Sequence, residues 1–313
     1  MPKKPKQTLT VDGRELAVSN LDKVYFPECG FTKGEVLGFY LHVAGVLLPH
    51  LEGRPLTMKR YPEGVAGEHF YEKNAPVHTP DWVPRFPVPR EEGGAPSPRI
   101  LCNDRATLLW VVNLGDIEKH VILARAPRLN EPTSIVFDLD PGEPAGVVEC
   151  ARVALHLKEM LEAWNLETFV KVSGSKGLHL SVPLNSGTPY EQARPFAKAI
   201  AELAAQRLPG EVVSGMSKAV RRGKVFIDWS QNTDFKTTVS VYSMRARRGE
   251  PFISLPVTWA EIRKAVKTKS DRALFFTPAA ALQRMEKLGD LHERVLTLRQ
   301  TLPSAFTQAL EAR

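Results

Sequence analysis

The chain has 313 residues, and its 42 Lys and Arg residues against 35 Asp and Glu residues give a formal net charge of +7. A hydrophobic fraction of 43% with 25% charged residues excludes a disordered or collagen-like chain. The three scattered cysteines predict a reducing cytoplasm without a disulfide framework, and the basic, polar first residues predict that there is no secretory signal. No stretch approaches the roughly 20 apolar residues of a bilayer span, so no membrane span is expected. Such a basic chain favours an anionic partner, nucleic acid first and nucleotides second.

The first third of the chain predicts two helices and a long connection. Thr32 and Glu35 have the spacing of a capping box, and apolar residues then recur at helical intervals to about Leu51. The proline-rich segment 76–99 predicts an extended surface connection. A second buried helix is predicted to run to about residue 114 from a cap at Asn103 or Asp104.

From residue 132 the pattern alternates between strands and helices. The predicted strands are 134–140, 169–173, 178–182 and 224–229, and the predicted helices are 147–164 and 190–208, with mainly helix after a second capping box at Thr258–Glu261. This order predicts an α+β fold in which a mixed or largely antiparallel sheet is flanked by helices.

Two aspartates stand at the end of the first of these strands. Because side chains alternate between faces, Asp138 and Asp140 share one face. Such paired carboxylates suit Mg²⁺ or Mn²⁺. Asp228 closes another apolar strand, and if the two strands are neighbours, three carboxylates meet as a ligand set for two-metal phosphoryl or nucleotidyl transfer. The alternatives are an acidic Asp-Pro-Gly turn at 140–142 and a capping role for Asp228 in the turn 230–232.

A glycine-rich link joins the strands 169–173 and 178–182. The link Ser173-Gly-Ser-Lys-Gly177 offers backbone N–H groups, two hydroxyls and the charge of Lys176, which together favour a phosphate cradle. His179, on the returning strand, can donate to a phosphate oxygen. The alternatives are an ordinary hairpin loop and a structural histidine, since the spacing of a Walker A loop is absent.

Basic and aromatic residues surround these elements. Basic side chains flank the Asp228 strand at Lys218, Arg221, Arg222, Lys224 and Arg245, and they favour contacts with a triphosphate or a nucleic-acid backbone. A solvated charged face is the alternative. In the N-terminal region, aromatic residues lie beside lysines in the pattern that stacks unpaired bases, namely Lys59, Phe70, Tyr71 and Lys73. Phe70 is equally placed for a core residue.

Taken in order, these motifs resemble the polymerase domain of bacterial and archaeal DNA ligase D, a non-homologous end-joining polymerase of the archaeo-eukaryotic primase superfamily. The matching stretches are Leu21–Pro27, Gly53–Thr57, His69–Pro76, Phe137–Pro141, Ser173–His179, Phe226–Asn232 and Tyr242–Arg247. The resemblance runs from about residue 15 to 262. Departures from the usual family pattern include Tyr71, the pair Trp229-Ser230 and the segment 233–236.

The resemblance implies a role for each site residue. The implied catalytic metal ligands, for two Mn²⁺ or Mg²⁺ ions, are Asp138, Asp140 and Asp228. The implied nucleotide ligands are Ser173, Lys176, His120, Arg245, Lys224 and Gln231. The residues implied for the 5′-phosphate at the downstream side of a gap or break are Lys23 and Lys33. Phe70 and Tyr71 resemble the template-stacking pair, with Lys59 and Lys73 beside them.

The resemblance also implies a function and partners. We expect a template-directed nucleotidyltransferase that fills gaps and extends 3′ ends during end joining, on gapped or broken DNA with NTP or dNTP. A DNA ligase and a Ku-like end-binding protein are the expected protein partners, at the nucleoid in the cytoplasm. The chain is expected to be one catalytic domain, with a helix-rich DNA-contacting region at 1–125, a metal- and nucleotide-binding sheet region at 126–260 and C-terminal helices at 261–313.

Two other functions are compatible with parts of the sequence. A nucleotide-sugar glycosyltransferase accounts for Asp138 and Asp140, but not for Asp228, the Lys23 and Lys33 pair or the basic surface. A non-catalytic DNA-end-binding module accounts for the charge, but three converging acids weaken DNA binding in the absence of a metal. The family resemblance implies a preference for ribonucleotides over deoxyribonucleotides.

Overall fold

The computed structural model describes residues 7–311, and the side chains of all of these except Arg247, Arg248 and Glu311. Within that range the strands are β1 (Gln7–Val11), β2 (Arg14–Val18), β3 (Val24–Phe26), β4 (Phe31–Thr32), β5 (Leu56–Arg60), β6 (Phe70–Glu72), β7 (Arg85–Val88), β8 (Ser97–Ile100), β9 (Asp116–Val121), β10 (Ala124–Arg125), β11 (Arg128–Pro132), β12 (Ser134–Pro141), β13 (Phe169–Val172), β14 (Leu178–Pro183), β15 (Val212–Val213), β16 (Val225–Asp228), β17 (Thr238–Val239), β18 (Met244–Arg248), β19 (Glu250–Ile253) and β20 (Pro256–Val257). The helices are α1 (Lys33–Leu51), α2 (Arg105–Asn113), α3 (Val147–Glu162), α4 (Tyr190–Arg207), α5 (Trp259–Thr268), α6 (Pro278–Leu288), α7 (Glu293–Thr297) and α8 (Ser304–Glu311). Short 3₁₀ turns lie at Lys218–Val220, Trp229–Gln231 and Arg272–Leu274.

The chain divides into two compact units. Unit 1 contains the residues up to Ile122 together with Val239–Ser254 and Thr277–Gly289. Unit 2 contains Leu123–Thr238, Leu255–Phe276 and the residues from Asp290. The division after Ile122 lies close to the boundary predicted at residue 125. The sequence does not indicate that Val239–Ser254 and Thr277–Gly289 also belong to unit 1. A single catalytic domain over the whole chain stays a prediction.

Unit 1 is built on a sheet with the strand order β17, β9, β5, β6. Both predicted helices of this region are confirmed as α1 and α2. The Thr32 hydroxyl accepts the Glu35 N–H while the Glu35 carboxylate accepts the Thr32 N–H, so the predicted capping box is present. The Asp104 side chain caps α2 by accepting the Thr107 N–H.

The N-terminal region contains more strand than a helix-rich description implies, since β1–β9 accompany the two helices between residues 7 and 122. Strand β9 buries charged residues, which breaks the apolar alternation that indicates a strand. The segment 76–99 also contains more than a connection, because it holds β7 and most of β8, paired as a hairpin in which Pro87 lies opposite Pro98. Prolines within a strand pattern argue against a strand, which explains that difference.

Helix α1 has the length and apolar composition that a membrane span needs, although no such span was expected from the sequence. Half of its apolar window is buried in the fold, with Val36, Tyr40, Val43 and Leu47 fully inaccessible. A core helix meets the same criteria of length and composition. The helix is therefore weak evidence for a membrane span.

Unit 2 is built on a six-stranded sheet with the order β15, β16, β12, β14, β13, β20. β12 lies near its centre, antiparallel to both β14 and β16, and the pair β15–β16 is parallel. Helices α3 and α4 both pack against β12. The strands and helices predicted from residue 132 onward are confirmed, with ends within about two residues, and the mixed α+β class is confirmed with them.

Candidate functional site

One face of the sheet in unit 2 carries a row of polar side chains that crosses four neighbouring strands. Asp138 on β12 lies opposite Asp228 on β16 and opposite His179 on β14, and His179 lies opposite Lys171 on β13. Directly opposed residues of antiparallel strands share a face. The His179 Nε2 atom lies 3.3 Å from the Asp138 carboxylate. The strands that carry Asp138 and Asp228, β12 and β16, are therefore neighbours, as the predicted three-carboxylate site requires.

Asp140 lies on the same face as Asp138, two residues nearer the end of β12. Leu139 between them is fully buried on the other side of the sheet, whereas Asp138 is half-buried and Asp140 is exposed. The Cys150 thiol of α3 donates to the Leu139 carbonyl oxygen, so this helix packs close to the strand that carries both aspartates. Asp138, Asp140 and Asp228 thus stand at one edge of the sheet, open to solvent at Asp140.

The Asp228 carboxylate also caps the turn that follows it. Oδ1 accepts the Ser230 N–H at 2.9 Å and the Ser230 hydroxyl at 2.5 Å, and Oδ2 accepts from the Gln231 amide at 2.9 Å. The capping role considered as an alternative in the sequence analysis is therefore real. It gives Gln231, a predicted nucleotide ligand, a direct contact with a predicted metal ligand.

Two residues that sequence analysis did not single out fix this turn. The fully buried Asn232 accepts the Val136 N–H and donates to the carbonyl oxygens of Val136 and Trp229, each at 2.8 Å. It completes the hydrogen bonding of β12 where β16 has ended. Lys236 donates to the Ser230 hydroxyl and so lies one hydrogen bond away from Asp228. Neither contact has a signal in local sequence, because both join residues brought together by the turn.

Hydrogen bonds of Ser173 stabilise the loop between β13 and β14. The buried Ser173 hydroxyl accepts the N–H groups of Ser175 and Gly177, each at 3.2 Å, and the Ser173 N–H donates to the Gly177 carbonyl oxygen at 2.9 Å. Two of the amides expected to face a phosphate are therefore used inside the loop. A Cβ at Gly177 would lie 1.9 Å from the Leu139 carbonyl oxygen. Only glycine allows this loop to approach the end of β12, where it presents the half-buried Lys176.

The ammonium group of Lys224 donates to a backbone carbonyl oxygen, that of Pro209, at 2.7 Å. The Arg221 guanidinium similarly donates to the Met216 carbonyl oxygen and lies 3.5 Å from the centre of the Phe226 ring. Of the predicted nucleotide ligands in unit 2, Gln231 donates to the Asp228 carboxylate and Lys224 donates to the Pro209 carbonyl oxygen.

The donor set at this edge fits a hard divalent cation, because it consists of carboxylate oxygens on opposed or alternate positions of central strands. Over residues 7–311, however, no group of three or more His, Cys, Asp or Glu side chains is arranged to hold a metal ion. The two oxygens of Asp228 accept hydrogen bonds from Ser230 and Gln231. A metal ligand role for the three aspartates stays a prediction.

In unit 1, a second cluster surrounds the fully buried carboxylate of Glu118 on β9. Oε1 accepts from Lys59 Nζ, Tyr61 Oη and the Ala246 N–H, at 3.1, 3.1 and 3.2 Å. Oε2 lies 3.1 Å from His120 Nε2 and 3.0 Å from Arg245 Nε. Sequence analysis predicted His120 and Arg245 as nucleotide ligands but missed the acid that joins them.

The charges of this cluster are strongly coupled. Burial acts to raise the pKa of Glu118, but the hydrogen bond from His120 and the charges of Arg245 and Lys59 outweigh it and hold that pKa well below its usual range. Burial lowers the pKa of His120, aided by Arg245 and Lys59 and opposed by Glu118. Glu118 is therefore ionised and His120 is neutral near pH 7.

The predicted template residues border the same cluster. Lys59 lies opposite both Glu118 and Tyr71 in the sheet, and its ammonium lies 5.7 Å from the centre of the Tyr71 ring. The Tyr71 ring meets the His120 ring edge-on at 5.6 Å. Phe70 and Tyr71 are 45% and 56% exposed, so neither is a core residue. Lys73 is exposed just beyond β6.

The predicted 5′-phosphate residues are brought together by the β3–β4 hairpin. The Lys33 N–H donates to the Lys23 carbonyl oxygen at 2.8 Å. Lys23 Nζ contacts Glu63 at 2.5 Å, and the buried Lys33 Nζ donates to the Ser19 carbonyl oxygen and to Asn113 Oδ1 at 2.9 and 2.7 Å. Burial, with the nearby charge of Lys23, lowers the pKa of Lys33 to about 8. Two neighbouring cations therefore lie at the start of α1.

Comparison with known proteins identifies the family to which this fold belongs. Residues 32–292 match the family model of the LigD primase-polymerase domain. The chain is 35% identical to the polymerase domain from Mycobacterium tuberculosis ligase D in complex with DNA, with a TM-score of 0.83 over 91% of this chain and 99% of that one. The chain belongs to the LigD primase-polymerase domain family, which is a metal-dependent enzyme family.

Full-length relatives are considerably longer. The chain is 40% identical over 276 residues to the multifunctional non-homologous end joining protein LigD of Mycolicibacterium smegmatis, which covers 88% of this chain and 35% of that protein. It is 30% identical over 276 residues to the bifunctional non-homologous end joining protein LigD of Bacillus subtilis, covering 88% of this chain and 43% of that protein. The chain thus spans between about a third and two fifths of these relatives.

Proposed function

We propose that this protein is a template-directed nucleotidyltransferase that fills gaps and extends 3′ ends of broken DNA during non-homologous end joining. The observation that carries the proposal is the register of the central strands, which sets Asp138 opposite Asp228 with Asp140 on the same face. Family membership supports it independently, since the matched solved structure is a polymerase domain in complex with DNA. The relatives' names supply the end-joining context.

We further propose that Asp138, Asp140 and Asp228 hold two divalent cations, Mn²⁺ or Mg²⁺. When bound, such ions activate the attacking 3′-hydroxyl and stabilise the leaving pyrophosphate. Oδ2 of Asp228 accepts one hydrogen bond, from the Gln231 amide, and so keeps a lone pair that could bind a cation while the contacts to Ser230 and Gln231 stay in place. The Asn232 contacts hold the backbone of this turn on β12.

The remaining residues bind and orient the substrates. Lys176, at the tip of the Ser173–Gly177 loop, supplies a positive charge to the triphosphate, and Ser173 keeps the loop in shape rather than facing solvent. His120 and Arg245 are proposed as triphosphate ligands of unit 1. The exposed rings of Phe70 and Tyr71 are proposed to stack on template bases, with Lys59 and Lys73 beside them.

Lys23 and Lys33 are proposed to recognise a 5′-phosphate. A terminal phosphate carries nearly two negative charges at neutral pH, and it relieves the repulsion between the two neighbouring ammonium groups. The start of α1 adds the positive end of its helix dipole. The proposed partners are gapped or broken DNA, NTP or dNTP, a DNA ligase and a Ku-like end-binding protein, at the nucleoid.

The test is nucleotide addition to a primed DNA template with Mn²⁺ or Mg²⁺, using wild type, Asp138→Asn and Asp228→Asn. We expect both variants to fall to about a hundredth of wild type or less, because each removes a charged metal ligand. Asp81→Asn serves as the matched control, since Asp81 is fully exposed and its carboxylate lies 3.7 Å from Arg85. Wild-type activity in Asp138→Asn would refute the metal assignment. If the wild-type protein bound DNA but added no nucleotide, the polymerase function would be refuted in favour of a non-catalytic end-binding module.

A further inference from the structure

Glu118 occupies an unusual position for an acid in a protein that binds anions. It lies at the centre of a cluster of cations and is fully buried, so a triphosphate that binds His120 and Arg245 arrives beside an existing negative charge. Five groups contact its two oxygens at 3.0–3.2 Å. A carboxylate in this position repels the triphosphate directly, so any contribution of Glu118 to nucleotide binding acts through the groups that it contacts.

Its geometry determines which nitrogen of His120 carries a proton. An ionised carboxylate is only an acceptor, so the His120 Nε2 atom, 3.1 Å from Glu118 Oε2, must be an N–H donor. In the neutral imidazole the other nitrogen, Nδ1, then bears a lone pair. A lone pair repels a phosphate oxygen, so neutral His120 in this tautomer cannot donate a hydrogen bond from Nδ1 to a triphosphate.

The charged and titratable groups around the His120 ring are part of the same cluster. Glu118 faces it from β9, Lys59 from β5, Arg245 from β18 and Tyr71 from β6. The cations disfavour a further positive charge on His120, and Glu118 favours it. An arriving triphosphate adds several negative charges, which favour protonation of the His120 imidazole.

We infer that Glu118 is the positioning residue of the triphosphate site, and that nucleotide binding there is coupled to the uptake of one proton at His120 Nδ1. This inference rests on the proposed function, because it takes His120 as a triphosphate ligand. Glu118 holds the Nε2–H, the incoming proton turns Nδ1 into a second donor, and that donor faces the phosphate oxygen. Glu118 also forms an ion pair with Arg245, whose Nε lies 3.0 Å from Oε2.

The experiment measures proton uptake when GTP with Mn²⁺ binds the protein without DNA. Binding heats at pH 7.5 in two buffers with different ionisation enthalpies give the number of protons taken up. We expect wild type to take up close to one proton more than His120→Gln. The uptake by His120→Gln measures the protonation change of the nucleotide itself. The affinity of wild type should also fall by about tenfold per pH unit above neutrality, as expected for one coupled proton.

The variant that isolates Glu118 is Glu118→Gln. Its amide neither fixes the tautomer nor compensates a charge, so we expect proton uptake to fall to the level of His120→Gln and the pH dependence to flatten. Tyr61→Phe is the matched control, because it removes only the 3.1 Å contact to Oε1 and should keep wild-type proton uptake. Full uptake in Glu118→Gln would overturn the inference.

A second readout does not require any Glu118 variant to fold. Nitrogen-15 NMR of the imidazole rings, with His120→Gln to assign the signal, should show the Nε2–H tautomer of His120 in nucleotide-free wild type. An Nδ1–H tautomer, or GTP binding without extra proton uptake, would overturn the inference and leave the proposed function standing. Failure of wild type to bind GTP at all would instead refute the proposed function, and this inference with it.

Discussion

The ion pair between Lys119 and Asp116 offers a sharp test of the packing in unit 1. Both side chains are fully buried, and Lys119 Nζ lies 3.1 Å from the Asp116 carboxylate and 2.6 Å from the Asp116 carbonyl oxygen. The ammonium also lies 3.9 Å from the centre of the Tyr40 ring, whose hydroxyl accepts the Met244 N–H at 2.9 Å. These contacts tie β9 to α1 and to the strand that carries Arg245.

We expect Lys119→Met to lower the free energy of unfolding by about 3–5 kcal/mol, because it leaves the Asp116 charge buried without its partner. The control is Lys198→Met, which breaks an exposed 3.7 Å pair with Glu202. There we expect a change of about 0–1 kcal/mol. Urea unfolding at pH 5 and pH 8 measures both.

The loss in Lys119→Met should depend on pH. Burial already raises the pKa of Asp116 to about 6 in wild type, and removing Lys119 raises it further. A carboxyl group with a raised folded pKa binds a proton more tightly in the folded state, so stability falls as pH rises from the unfolded pKa to the folded one. The variant should therefore lose more stability at pH 8 than at pH 5. An equal loss at both pH values, or a loss no larger than that of Lys198→Met, would refute the reasoning.

Three further predictions concern the two proposed sites and the turn beside them. Preference for a 5′-phosphorylated gap should weaken between pH 7 and pH 9, measured by binding, because Lys33 with a pKa of about 8 loses its charge in that range; an unchanged preference would exclude Lys33. Gly177→Ala should lower the unfolding midpoint and nucleotide affinity together, since the added Cβ collides with the Leu139 carbonyl oxygen, whereas the open Gly210→Ala should not. Asn232→Leu should cost about 1–3 kcal/mol for each unpaired Val136 group in chemical unfolding and reduce nucleotide addition by displacing Asp228; normal addition would show that the turn does not position it.

The sequence was sufficient for features that depend on local chemistry. Helix α1 begins at Thr32 because its capping box is encoded within four residues, and the shared face of Asp138 and Asp140 follows from the period of a strand. The position of Asp228 opposite Asp138 could be stated only as a condition, because strand register is set by long-range pairing. The family resemblance implies that the two strands are neighbours, because it assigns all three aspartates to one metal site.

Other features could not be read from the sequence. Glu118 lies in the strand Asp116–Val121, which has charged residues at positions where a buried strand normally has apolar ones. The buried acid is tolerated because Arg245, distant in sequence, forms an ion pair with it. The two loop amides bound by Ser173, and the hydrogen bonds of Asn232 to Val136, likewise exist only after folding. Local patterns predicted which residues carry the chemistry, while their mutual contacts required the tertiary structure.

The most direct test of the proposed function is single-nucleotide addition to a gapped duplex in which the template base opposite the gap is varied. With Mn²⁺ or Mg²⁺, the protein should add the nucleotide complementary to each of the four template bases, fill a gap with a 5′-phosphate better than one with a 5′-hydroxyl, and lose addition in Asp138→Asn. Addition that ignores the template base, or no addition under any of these conditions, would contradict a template-directed polymerase.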